Sequence, residues 1–278
     1  MRRVMAVFAY DGKNFSGYQF QQGQRTVQGE FEKALSRIFK CEMETYGAGR
    51  TDTGVHAYGQ VITFMVKYET MYDHDVKNAL NANLPPDIYV RSVKTVGERF
   101  NPRFDATRRI YHYFILNQQE PDIFNRTNYW WFPYDLEINR MRGAARYFEG
   151  VHDFTTFQKK TKGKEKDPVR LIYRVKVFGF KSNRLILVRV EGLSFLRRMV
   201  RNIVGALVRV GIGDWEPEKI IEVIKERDRT ASSATAPADG LYLYRVDFNP
   251  VDQMRYITSS FWSETELLEG KEWFKAHG

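Results

Sequence analysis

Residues 2–10, two arginines and then the apolar run VMAVFAY, look like a strand. The stretch TVQGEFEKALSRIFK changes period: from Thr26, which caps it, Val27, Phe31, Leu35 and Ile38 fall on one face of an amphipathic helix. Strands near 42–48 and 57–67 follow, then a helix over Asp73 to Ala82 that the paired prolines of NLPPDIYV stop before another strand begins. Strand, helix, strand, strand, helix, strand is the ferredoxin-like order. After RRIYHYFIL, an alternating strand from Arg108, comes an aromatic, irregular stretch to Pro133. The pattern then starts again, with a helix near 137–149, a turn at GVHDF, strands near 169–180 and 183–193, two helices, and a last strand at GLYLYRVDF. The prediction is an α+β protein of two ferredoxin-like (RRM-like) units. Each has a mostly antiparallel sheet with helices on one face, and between them they form a basic cleft. The expected divisions are 1–105, 106–248 and a C-terminal extension 249–278 that carries a solvated helix from Ser263.

Charge then narrows the partner. Among 278 residues, 43 Lys and Arg stand against 34 Asp and Glu, a net charge of +9 that suits a polyanion. In KKTKGKEKDPVR, residues 159–170, six basic residues including Lys159 and Lys160 meet only Glu165 and Asp167. Without apolar periodicity the segment reads as a basic loop able to follow phosphates, or as a plain solvated loop. In SFLRRMVRNIVGALVRVG, from Ser194, a spacing of about 100° per residue puts Arg197, Arg198, Arg201 and Arg209 on one face with Asn202 and Gly205. Leu196, Met199, Val200, Ile203, Leu207 and Val210 take the other, and the segment holds no carboxylate to neutralise the basic face. Basic and aromatic residues also interleave from Arg99 to Tyr113, a mixture suited to RNA with exposed bases. The single cysteine, Cys41, rules out an internal disulfide framework and fits a reducing cytoplasm. Asp11 follows MRRVMAVFAY too soon for a signal-peptide core, and no apolar run is long enough to span a membrane.

The candidate chemistry lies in GAGRTDTGVHAYGQV, residues 47–61. Its small residues suit a loop between two strands, with Asp52 at a fixed tip. A dinucleotide fingerprint would need a third glycine where Asp52 stands. A metal site through Asp52 and His56 lacks further ligands. A plain turn, with Arg50 as surface partner of the aspartate, remains open on the residues alone. His56 and His152 read as structural hydrogen-bonding residues.

These motifs, with YDGKNFSGYQFQ, RFDATRRIYHYFI, GVHDFTTF and APADGLYLYRV in the same order, resemble the TruA-type tRNA pseudouridine synthases over residues 4 to about 248. The resemblance implies isomerisation of uridine at positions 38, 39 and 40 of tRNA, a homodimer sharing one tRNA, and neither metal nor cofactor. It makes Asp52 the catalytic carboxylate, lays Tyr111 against the target base, pairs Arg201 with the aspartate and gives Arg50 an RNA contact. Arg197 and Arg198, with Lys159 and Lys160, are the expected phosphate contacts. Turning a C–N glycosidic link into a C–C link needs no redox partner. One ionised carboxylate serves attack at C1′, addition at C6 or removal of the 2′ proton, and an arginine beside it stabilises that charge. A tRNA-binding module would show the same basic and aromatic pattern without needing the carboxylate. A uridine-modifying methyltransferase would need a cysteine nucleophile and a nucleotide-cofactor loop, and Cys41 sits in the strand CEMETY without such a loop.

Overall fold

The computed structural model describes residues 1–67, 70–159, 167–180 and 184–248. Lys160 and the predicted terminal helix from Ser263 lie outside the described residues.

Strand β1 (Arg2–Tyr10) buries every second side chain from Val4 to Tyr10, although its residues from Val4 on are all apolar. Helix α1 (Val27–Phe39) starts where the Thr26 hydroxyl accepts from the Gly29 N–H at 3.2 Å, and it ends at Lys40 in a left-handed conformation. The predicted strand at 42–48 shrinks to β2 (Tyr46–Gly47). Its first residues are tied to α1 instead: the Thr45 hydroxyl donates to Glu32 Oε1 at 2.7 Å, and Met43 joins the core. Then come β3 (His56–Val66), α2 (Asp73–Asn83), closed off by Leu84-Pro85-Pro86, and β4 (Ile88–Val96).

The second part opens with β5 (Arg108–Asn117) and β6 (Trp130–Phe132), the latter within the stretch predicted to be irregular. Helix α3 (Ile138–Ala145) leads into GVHDF, whose Gly150–Asp153 form strand β7 and not a turn, because they find a partner in β8 (Val169–Phe180). Strand β9 (Leu185–Gly192), helices α4 (Met199–Gly211) and α5 (Lys219–Glu226), and strand β10 (Leu241–Asp247) complete the order.

The strands form one mostly antiparallel sheet in the order β4-β1-β3-β10-β5-β9-β8-β7, with β2 on β3 and β6 on β5. The first and second parts join through β3 and β10, which run parallel and pair Tyr242 with His56 and Leu243 with Ala57. On the helix side of the first part, Phe8 packs on Phe31 and Phe31 on Phe64, all fully buried. Each such side chain contributes about 1.5–3 kcal/mol through burial. In the second part Val188 and Val190 of β9 and Ile203 and Leu207 of α4 are buried in the same core cluster. The other side of the sheet carries a run of rings. His112 stacks on Tyr244 at 3.9 Å and Tyr58 on Tyr242 at 5.1 Å, while Phe178 and Phe180 stand exposed on β8.

Candidate active site

Asp52 sits in the connection between β2 and β3, and its neighbours hold that loop tightly. The Tyr10 hydroxyl and the buried Thr51 hydroxyl are 2.8 Å apart, and the Tyr18 N–H donates to the Thr51 carbonyl at 3.1 Å. Gly12 lies so close that a Cβ there would fall 2.1 Å from the Val55 carbonyl oxygen. Its N–H donates to His56 Nδ1 at 3.1 Å, and His56 Nε2 lies 2.9 Å from the Thr127 carbonyl, a carbonyl that only an N–H can serve. With Nδ1 accepting and Nε2 donating, His56 is neutral. Asp11 also lies 3.1 Å from Nδ1, but a side chain half-exposed to water gives way to a buried backbone donor. Burial accordingly depresses the His56 pKa more than the Asp11 charge raises it. Of the four small residues expected to give the loop its freedom, only Gly54 adopts a positive φ, at 79°.

The Asp52 carboxylate points at arginines. Arg197 Nε lies 3.4 Å from Oδ1 and Arg201 Nη1 lies 3.8 Å from Oδ2. Among the described residues it takes no bond from its own loop, so the plain turn fails as an account of it, and Arg50 is exposed without pairing to it. Arg201 is anchored from its other side, where Nε donates to the Ala236 carbonyl at 2.7 Å. Burial lowers its pKa and the charge of Asp52 works against that lowering.

The arginine segment is not one continuous helix. Arg198 takes a left-handed φ of 63° and α4 begins only at Met199, so Arg197 and Arg198 stand in the approach to the helix and not on its face. Asn202 and Gly205, expected on the basic face, are buried: Asn202 donates to the Phe157 carbonyl and accepts from Thr235, and Gly205 packs on the Ala234 carbonyl. Arg209, at the far end, pairs with Asp214 at 2.9 Å. The cationic group that remains is compact, with Arg197 and Arg201 at Asp52 and Arg198 close enough for its charge to act on both Arg201 and Arg229.

Tyr111 of β5 faces the same site. It is buried edge-on against Phe195 at 5.1 Å, and its hydroxyl comes within 4.0 Å of where a Cβ on Gly49 would stand. Burial pushes its pKa up to about 12, with Asp52 adding to the rise and Arg109 opposing it, so the phenol keeps its proton at neutral pH. Lys159 is half-buried, and its N–H donates to the Arg197 carbonyl at 3.0 Å, which places the start of the basic segment beside the site.

Two residues expected among the basic and aromatic RNA contacts turn inward. Arg108 pairs with Asp247 at 2.8 Å and Glu191 at 3.5 Å. Arg109 is buried among backbone carbonyls. No helix among the described residues is long and apolar enough to cross a membrane.

A profile of the family described as tRNA pseudouridine synthase matches residues 6–105 and 144–249. The chain belongs to that family. Among known proteins, the tRNA pseudouridine synthase A of Thermotoga maritima is 58% identical over 248 residues, which cover 89% of this chain and all of that protein. That of Thermosipho africanus is 57% identical over 249 residues, with the same coverage. Among solved structures, a Cbf5-Nop10-Gar1 complex aligns with 94% of this chain and 67% of its own at 11% identity and a TM-score of 0.34. An H/ACA RNP bound to a substrate RNA containing 2′-deoxyuridine aligns at a TM-score of 0.33 and 11% identity, over 74% of this chain and 53% of that one. As a pseudouridine synthase the chain is an isomerase of uridine in tRNA.

Proposed function

We propose that this pseudouridine synthase acts on uridines 38, 39 and 40 of the tRNA anticodon stem-loop, with Asp52 as its catalytic carboxylate. What carries the reading is a carboxylate, held on a clamped loop, within 3.8 Å of two arginines and close enough to the buried Tyr111 hydroxyl for its charge to act on that group. Uracil C5 and C6 are closed off in a stacked helix, so the target nucleotide swings out and Tyr111 takes up the stacking it loses. Asp52 then acts at C1′, at C6 or on the 2′ proton. Arg201 balances its charge while it is ionised, before it reacts and after it is released. The uracil detaches, turns, and bonds through C5 to C1′, and the C5 proton leaves to restore the aromatic ring. Protonated at neutral pH, Tyr111 serves as a wall and a hydrogen-bond donor to the flipped base. Arg50, Arg197, Arg198, Lys159 and Lys160 hold phosphates around the flipped base.

The strand order supports two ferredoxin-like units over 1–105 and 106–248. Strands β4-β1-β3-β2 and β10-β5-β9-β8 repeat one order, with α1 and α2, then α3 and α4, as the crossovers. The ring-lined side of the sheet, turned away from Asp52, offers Tyr58, Tyr244, Phe178 and Phe180 to a second copy of the chain, which leaves both clefts free for one shared tRNA in the cytoplasm. Incubating an unmodified tRNA with the purified protein alone, then mapping pseudouridine by nucleotide, tests the function. New pseudouridine at 38–40 without added cofactor is expected; none, or modification elsewhere only, overturns it. Sedimentation at micromolar concentration is expected to show a dimer, and Tyr244→Asp with Phe178→Asp a monomer.

A further inference from the structure

Arg109 is a buried arginine that pairs, among the described residues, with no carboxylate. It is 8% exposed on β5, two residues from Tyr111 and on the same side of the sheet. Its guanidinium spends its donors on three carbonyls from separate parts of the chain. Nε and Nη2 donate to Ala48 at 3.2 and 2.9 Å, Nη2 also to Arg103 at 2.7 Å, and Nη1 to Leu193 at 2.5 Å. Burial lowers its pKa, so keeping it charged here has a cost, which these bonds offset.

The identity of the acceptors gives the arrangement its meaning. Ala48 is fully buried, its N–H already donating to the Val61 carbonyl at 2.8 Å, and it stands four residues before Asp52. Leu193, whose own N–H is bound to the Leu171 carbonyl, stands four residues before Arg197 and eight before Arg201. One rigid planar group therefore ties the root of the loop that carries the carboxylate to the root of the segment that carries its two arginines. The two roots lie 145 residues apart in sequence. We infer that Arg109 is a positioning residue for the isomerisation, fixing the separation of Asp52 from Arg197 and Arg201 without touching RNA. This rests on the proposed role of Asp52.

A lysine in its place keeps the charge but concentrates its donors on one nitrogen, which cannot span carbonyls on three sides. Arg109→Lys is therefore expected to leave tRNA affinity within about threefold and to slow single-turnover pseudouridine formation by tenfold to about a hundredfold, the scale of a small misplacement of reacting groups. Hydrogen exchange supplies the readout that a general stabilising role would not move. Amides of Gly49–Asp52 and Ser194–Arg198 are expected to exchange at least tenfold faster in Arg109→Lys, while those of β1 do not change. Exchange unchanged in both segments, or rising equally in β1, overturns the inference. If the variant does not fold, the wild-type protein still decides: Arg109 guanidinium protons, followed by NMR, should exchange at least tenfold more slowly than those of Arg197, and equal rates would overturn the inference. Activity retained by Asp52→Asn would end the catalytic reading of Asp52 while leaving these exchange results intact, so the two failures are distinguishable.

Discussion

Arg201 and Arg197 both face Asp52, yet their surroundings predict unequal consequences of removing them. The Arg201 side chain is 12% exposed, against 52% for Arg197. At the 3.8 Å of the Arg201 pair, unit charges attract by about 1 kcal/mol in bulk water and about 4 kcal/mol at an effective dielectric of 20. Burial puts Arg201 toward the upper figure. A loss of about 3 kcal/mol carried wholly into the transition state slows the reaction about 150-fold. The Arg197 pair, open to water, is worth under about 1 kcal/mol, or about fivefold at most. Arg201→Gln also releases the Ala236 carbonyl, at about 1–3 kcal/mol of stability, so thermal midpoints are needed to keep folding and chemistry apart. Single-turnover rates and filter-binding affinities on an unmodified anticodon stem-loop should show Arg201→Gln slow but still bound, and Arg197→Gln nearly normal in rate but weaker in binding. An Arg201→Gln rate within fivefold of wild type, or an Arg197→Gln rate loss that exceeds it, would refute the assignment.

Asp52→Asn should bind tRNA as well as the parent or better while making no detectable pseudouridine; persistent activity would remove Asp52 from the chemistry. Replacing Lys159 and Lys160 by Gln should lower the slope of log affinity against log salt by about 0.7–0.9 for each lysine that meets a phosphate, and an unchanged slope would make the segment a solvated loop. Burial, helped by the charge of Arg189, pulls the His112 pKa down to about 4. From pH 6.5 down to that value the unfolded chain takes up a proton that the folded chain refuses, so acidification lowers stability over that window and alkalinity restores it. His112→Gln should therefore lose less of its thermal midpoint between pH 7 and pH 5, and an identical loss would dismiss His112 as the cause.

Alternation made the middle of β8 legible, where Val175 and Val177 are buried between exposed neighbours, and α1 was legible from its cap and apolar stripe together. The Asp52 loop was readable from its small residues and its flanking strands. Other features depended on partners far away in the chain. GVHDF becomes a strand only because β8 lies beside it, and the arginine helix starts late because Arg198 turns left-handed, which no spacing of side chains encodes. Arg109 was misread for a related reason. An arginine next to aromatic residues ordinarily faces water or phosphate, and only the meeting of Ala48, Arg103 and Leu193 gives it a buried use. Its adjacent twin, Arg108, carried the same false signal, and two carboxylates on neighbouring strands account for it.

The place of β10 in the sheet sets a timetable for synthesis. This strand, from near the end of the described chain, fills the middle of the sheet and supplies the pairing between β3 and the strands of the second part. The same stretch delivers Ala236, the carbonyl that anchors Arg201. While the ribosome is still making residues before about 236, the Asp52 loop can form, but its principal arginine has no mooring and the seam is open. A nascent chain therefore completes the surroundings of Asp52 in one late step. Stalled or truncated products ending before β10 would leave the β3 and β5 edges bare, as substrates for chaperones and proteases instead of partial enzymes.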